Sequence, residues 1–185
     1  MSRIQESVAE YTYLGIDINC NGSFRTALAD LRNKTNRAFF SLNSKFQFKK
    51  LPIRICLKLF DSLLSPILLY CSEVWASFDY IDLNKWDICE IEKMHLNFCK
   101  RILGVNRSTS IILVRGELGR YPLKLAADNR FISFYRHIEN MPQNSLVYQS
   151  LLMNKELPQN LSCITHLNNI EQFMSTSSLN ILLEI

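Results

Sequence analysis

Glycine and proline are scarce here, five of each in 185 residues. With so few turn formers, and few of the dipeptides that close hairpins, the sequence does not read as an all-β sandwich or barrel. No Cys-x-x-Cys pair occurs, which removes the usual zinc-ribbon and thioredoxin-like readings. No Gly-rich loop is present to cradle a phosphate, and no Gly-x-Ser-x-Gly to present a nucleophile. No two aspartates are adjacent. Asp79, Asp82 and Asp87 fall in a helix-connecting segment, where solvated or capping roles outweigh two-metal chemistry. A membrane span is missing as well. The richest apolar stretch, 57–75, carries Lys58, Asp61 and Glu73, and its uncharged part, Ser62 to Ser72, is 11 residues long. A bilayer needs about 20.

What the chain does have is a core. Hydrophobic residues make up 48% and aromatics 11%, well above the composition of disordered chains. The patterning favours a mainly α protein, a multi-helix bundle with one short N-terminal β-strand or hairpin. Residues 13–18 are aromatic and β-branched and read as a strand, ending at the turn signal Asn21-Gly22. No second segment of comparable pattern offers itself as a partner, so the strand is expected to pair with something outside the chain. Ser23 can cap a long helix to about residue 46, with Phe24, Ala27, Leu28, Leu31, Ala38, Phe39, Leu42 and Phe46 on one face. Phe40 falls on the opposite, polar face. Leu51-Pro52 opens the next helix, the 57–75 stretch, apolar around most of its circumference and kinked or restarted at Pro66. Further helices are expected over 85–103, 111–118, 122–139, 146–154 and 163–174, with a polar break at 79–84. The six cysteines are scattered, and no secretory signal is legible. They read as free thiols of an intracellular, nuclear or cytoplasmic protein that is not secreted.

Charge is unevenly spread. The net charge is +4, but Phe24 to Lys58 holds nine basic residues against the single acid Asp30, a local +8. Arg25, Arg32, Lys34, Arg37, Lys45, Lys49, Lys50 and Arg54 are therefore the candidate nucleic-acid-binding residues. Cations neutralise phosphates, and the interleaved amides and Phe40 suit backbone hydrogen bonds and base stacking. The plain alternative is a solvated helix face, the usual fate of a charge run. Cys89, His95 and Cys99, six and four residues apart, lack a fourth partner at zinc spacing and are better read as core.

A series of short motifs follows in order. They are Tyr11-Thr-Tyr-Leu-Gly-Ile16, Lys34-Thr-Asn-Arg-Ala38, Leu59-Phe-Asp-Ser-Leu63, Pro66-Ile-Leu-Leu-Tyr70, Ser72-Glu-Val-Trp75, Phe98-Cys-Lys-Arg-Ile-Leu-Gly104 and Gly116-Glu-Leu-Gly-Arg-Tyr-Pro-Leu123. Over about residues 11–139 the chain resembles the C-terminal, thumb and post-thumb region of a reverse transcriptase from non-LTR retrotransposons of the LINE, jockey-like kind. The resemblance implies that Tyr13, Leu14 and Gly15 lie at a primer-grip-like strand and that the basic helix tracks a template–primer duplex. It implies a palm-edge remnant at 1–22, a helical thumb with C-terminal extension at 23–140, and a weaker helical tail at 141–185. Where the family pattern has glycine, this chain has Cys71. The family's catalytic aspartates find no counterpart, so the resemblance implies a fragment that is not an enzyme on its own. It has no catalytic or metal residues and no cofactor, although the parent RNA-directed DNA polymerase would use Mg2+. The implied partners are an RNA/DNA duplex and the missing palm and fingers, with no membrane. The alternative is a non-catalytic helical module that binds nucleic acid or another protein.

Overall fold

A computed structural model describes residues 9–20, 23–76 and 86–156 of the chain. Within them the protein is mainly helical, with one antiparallel hairpin at its start. Strands β1 (Glu10–Tyr13) and β2 (Ile16–Asn19) pair with Tyr11 opposite Ile18 and Tyr13 opposite Ile16. Only Leu14 and Gly15 separate them, at φ 49° and 81°. Two successive positive-φ residues make a turn of the primed kind, whose twist matches that of paired strands. Residues 13–18 are therefore not one strand awaiting an outside partner. They fold back at Leu14-Gly15, and residues 10–13 supply the backbone groups that the strand needs. The expected turn at Asn21-Gly22 lies outside the described residues.

Helix α1 (Arg25–Phe46) buries Ala27, Leu28, Leu31 and Phe39, with Phe24 just before it, and leaves Phe40 exposed, as its periodicity predicts. At its start the Ser23 Oγ accepts from the Arg25 amide at 3.4 Å. Phe46 departs from expectation and is 47% exposed. The helix ends at Gln47 in the left-handed region, and this reversal puts Phe48 into the core instead. Phe48 stacks on Phe39 at 5.4 Å between ring centroids and meets Phe98 edge-on at 5.8 Å. Such aromatic pairs add roughly 0.5–1.5 kcal/mol beyond the area they bury.

The apolar stretch does restart near Pro66, through a change of winding. Helix α2 (Ile53–Leu59) widens into a five-residue π segment, Phe60–Leu64, before α3 (Ser65–Leu68). The Ser65 amide donates to the Phe60 carbonyl, five residues back. Proline cannot donate, and its ring presses on the carbonyl four residues earlier, so a wide turn just before it relieves both problems. The chain then breaks at Cys71, which takes φ 54° before α4 (Ser72–Trp75). Glycine adopts that geometry without strain, whereas a side chain there costs energy. Side chains hold the break closed. The Trp75 indole donates to the Tyr70 carbonyl at 2.7 Å, Arg130 donates to that of Leu69 at 2.8 Å, and the Tyr70 hydroxyl donates to that of Leu14 at 2.9 Å.

The second half contains α5 (Glu90–Leu103), α6 (Ile111–Leu118), α7 (Leu123–Glu139) and α8 (Leu146–Glu156). Gly104 and Gly119 close α5 and α6 at positive φ. Helix α5 begins at Glu90 rather than 85, because Trp86 to Cys89 form a turn that seats Trp86 on Trp75, 6.3 Å between centroids. One core unites the hairpin residue Ile16, α1, the α2–α3 stretch, α5 and the start of α7, while Tyr135, Ile138 and Leu151 form a smaller α7–α8 cluster. The expected break at 79–84 and the helix expected over 163–174 lie outside the described residues. Cys20, Cys56, Cys71, Cys89 and Cys99 are free thiols. No helix of the described residues is long and apolar enough to cross a membrane.

Candidate nucleic-acid interface

The eight basic candidates do not form one surface. Arg32 is committed to an ion pair with Glu90 of α5. Lys34 binds Asp30 one turn earlier at 2.7 Å and also reaches the Gly15 carbonyl at 3.4 Å. These two hold α1 to α5 and to the hairpin, and their charge is already answered. Arg25, Arg37, Lys45, Lys49, Lys50 and Arg54 are exposed and have no ion pair among the described residues. Arg25 starts α1, Lys45 sits in its last turn, Lys49 and Lys50 follow at the reversal, and Arg54 lies on α2.

Only Lys49 of the eight lines the main cleft, a cavity of about 510 Å³ where α1 meets α5 and the segment after it. Its floor is apolar, made by Phe39, Met94 and Phe98. Asn36, Asn97 and Phe40 also line it. Besides Lys49, the cations are Lys100, Arg101 and Arg107, and no carboxylate lines the cleft. The Lys100 ammonium donates to the Arg107 carbonyl at 2.6 Å and so fixes the segment after Gly104. The Arg101 guanidinium lies 5.0 Å from the Phe39 ring centroid and 5.6 Å from that of Phe40. Sequence reasoning missed Lys100, Arg101 and Arg107, because it sought charge in one contiguous run. The readable signal was that Lys100-Arg101 follows Phe98 on the polar edge of α5, where nothing apolar is needed.

The comparisons with known proteins give no name to this arrangement: no family model, no curated protein and no solved structure matches the chain.

The primer-grip-like residues form the tip of the hairpin. Tyr13 ends β1, Leu14 and Gly15 are the turn itself, and the Tyr13 and Leu14 side chains are largely exposed. Through the Leu14 and Gly15 carbonyls this tip is bound to Tyr70 and Lys34.

Behind the cleft, α5 carries a buried polar centre that the sequence did not reveal. Glu92 is fully buried. One of its oxygens accepts from the Trp86 indole at 2.7 Å and the Leu123 amide at 2.9 Å, and the other meets His95 Nδ1 at 2.9 Å and Arg115 at 3.0 Å. Arg115 also binds Asp87 at 2.6 Å, so Asp87 is a partner in this network rather than a solvated loop residue. Burial alone would raise the Glu92 pKa, but hydrogen bonds and charge from His95, Trp86 and Arg115 bring it down to about 2. Burial alone would lower that of His95, yet Cys99, one turn on, and Glu92 carry it up to about 9. His95 Nε2 has no hydrogen-bond partner among the described residues.

Cys99, His95 and Glu92 share the composition of a thiol relay, but none is more than 1% exposed, so no substrate reaches the sulfur. The cluster is a fastening that joins α5 to α6 and to the first turn of α7. The cysteine–histidine set belongs to the core, as its spacing predicts. Among the described residues no group of three or more His, Cys, Asp or Glu side chains is placed to hold a metal ion.

Proposed function

We propose that this chain is a non-catalytic nucleic-acid grip, derived from the thumb and post-thumb region of a non-LTR retrotransposon reverse transcriptase. In a parent enzyme, with palm and fingers, it holds the template–primer duplex. The observation that carries this reading is the cleft between α1 and α5, ringed by four cations and lined by no acid. Arg37, Lys45 and Lys50, exposed and without an ion pair among the described residues, add positive charge on the same helix and at its end. Phosphate neutralisation by such a surface releases counterions, and the affinity falls with salt. The seven ordered motifs support the family origin, and two of them meet in space: Arg120 grips Asp61 with both nitrogens, at 2.8 and 2.5 Å. That contact is expected if the motifs serve one fold.

Filter binding of a short RNA/DNA duplex at two salt concentrations tests the grip. Binding at low salt that weakens steeply with added salt is expected. No binding at low salt, or binding indifferent to salt, overturns it. Primer extension with Mg2+ or Mn2+ is expected to give no product, and measurable incorporation by the pure chain refutes the non-catalytic part.

A second reading, a helical module that binds another protein, is favoured by Ile112, Leu113 and Tyr121, which are 81%, 68% and 76% exposed. It gains if reversing the charge of Arg37, Lys49 and Arg101 together leaves every nucleic-acid interaction unchanged.

A further inference from the structure

We propose that the α1–α5 cleft takes a single unpaired nucleobase, so that the protein prefers a duplex carrying a single-stranded nucleotide over a fully paired one. The proposal rests on the nucleic-acid reading and deepens it. A surface that only neutralised phosphates would need cations and nothing else. This cleft has a chemistry that phosphates do not use. Its volume, about 510 Å³, lies within the ~300–1,000 Å³ of sites that enclose small ligands.

Its floor, Phe39, Met94 and Phe98, is apolar and suits a flat ring better than an anion. The Asn36 and Asn97 amides each offer both a donor and an acceptor, the pairing that reads a base edge. Phe40 is 57% exposed although Phe39, its neighbour in sequence, is 3% exposed. The Arg101 guanidinium lies against both rings, and such planes and phenyl rings are the usual platforms for splayed bases. Lys49, Lys100 and Arg107 line the same cleft and supply positive charge for the phosphates that flank such a base. A base inside a duplex is stacked on both faces and cannot enter, so the occupant is an overhang, a frayed end or an extruded nucleotide.

The test uses the full chain and three oligonucleotides: a duplex with a short single-stranded overhang containing 2-aminopurine, the same duplex with blunt ends and the probe paired, and the single strand alone. Fluorescence of the overhang probe is expected to be quenched on binding, with tighter binding than to the blunt duplex. Phe40→Ala is expected to abolish the quenching and weaken overhang binding about 5- to 150-fold, the span of one lost base–aromatic stack. The same change should leave blunt-duplex binding within about two-fold, and Phe40→Trp should restore the quenching. Phe40 is exposed, so an unchanged melting temperature of Phe40→Ala shows that the loss is not one of folding. If all three oligonucleotides bind in a salt-dependent way but the probe is not quenched, or Phe40→Ala weakens blunt and overhang duplexes equally, the base pocket is wrong and the grip survives. If none binds at low salt, both fail.

Discussion

The Glu92 carboxylate provides a sharp test of the packing. In the folded chain its pKa lies at about 2 against an ordinary 4.5, and that of His95 at about 9 against 6.5. A displacement of this size corresponds to about 3 kcal/mol. The Glu92–His95 attraction enters both, beside Trp86 and Arg115 on one side and Cys99 on the other, so the two are not added. A depressed carboxylate stabilises the fold above its unfolded pKa and loses that contribution as pH falls through the folded value. A raised histidine stabilises it below its unfolded pKa and loses that contribution as pH rises through the folded value. The pair therefore contributes fully between about pH 4.5 and 6.5, fades toward pH 2 on one side, and fades through pH 9 on the other. Glu92→Gln keeps one oxygen for Trp86 and Leu123 but removes the charge that faces His95 and Arg115. We expect a loss of about 2–3 kcal/mol at pH 5.5, and about 3–5 kcal/mol for Glu92→Leu, which also strands buried donors. Urea unfolding from pH 4 to 10 measures both. The parent midpoint should fall between pH 6.5 and 9.5, and the Gln variant should fall less over that interval, because Cys99 still acts on His95 when the Glu92 charge is gone. A Gln variant within about 0.5 kcal/mol of the parent, with the parent's pH profile, refutes the assignment of Glu92 as the joint of this network.

The remaining expectations concern the hairpin, the cleft and the core. Leu14→Asn creates Asn-Gly at the two positive-φ positions and removes a largely exposed side chain. It should stabilise the chain by about 1 kcal/mol in a thermal melt, and a lowered melting temperature counts against the primed turn. Arg101→Ala should lower the magnitude of the salt slope of duplex binding by about one, whereas Arg32→Ala should leave it unchanged, because Arg32 is spent on Glu90. Equal effects would show that the cleft is not the contact surface. Phe98→Ala empties the meeting point of Phe39, Phe48 and Phe60 and should cost about 3–5 kcal/mol by denaturant unfolding; a cost under 1 would mean that this core is loosely packed.

Much of the fold was legible because it follows from short-range patterning. Helices over 25–46, 111–118 and 123–139 announce themselves by apolar periodicity and by glycines or prolines at their ends. A short N-terminal strand or hairpin was legible, and a hairpin is there, but its bounds were misread as a single strand over 13–18 because a leucine occupies the first turn position. No residue table marks Leu14-Gly15 as a reversal, and only the pairing energy of β1 with β2 forces leucine to positive φ. Glu92 was invisible for a different reason. A glutamate on a helix reads as solvent-facing until tertiary structure brings Trp86, Arg115 and the Leu123 amide around it, from 6 to 31 residues away. The cleft failed in the same way: three of its four cations lie on α5 and its trailing segment, and only packing brings them to Lys49.

The wide segment before Pro66 bears on what kinds of change this chain can accept. Cys56, Phe60, Leu64 and Leu68 are all buried, and they recur every fourth residue. On a regular α-helix each such step drifts by about 40°, so the last of the four would point about 120° away from the first. Underwinding across Phe60–Leu64 cancels part of that drift and keeps the row on one line. The stretch works as a vernier: the count of residues carries information that no single side chain does. Removing the exposed Ser62 deletes almost no contact, yet it would let the helix wind tightly and turn Leu64 and Leu68 out of register. Here the length of the chain is conserved by geometry more strictly than the identity of its residues.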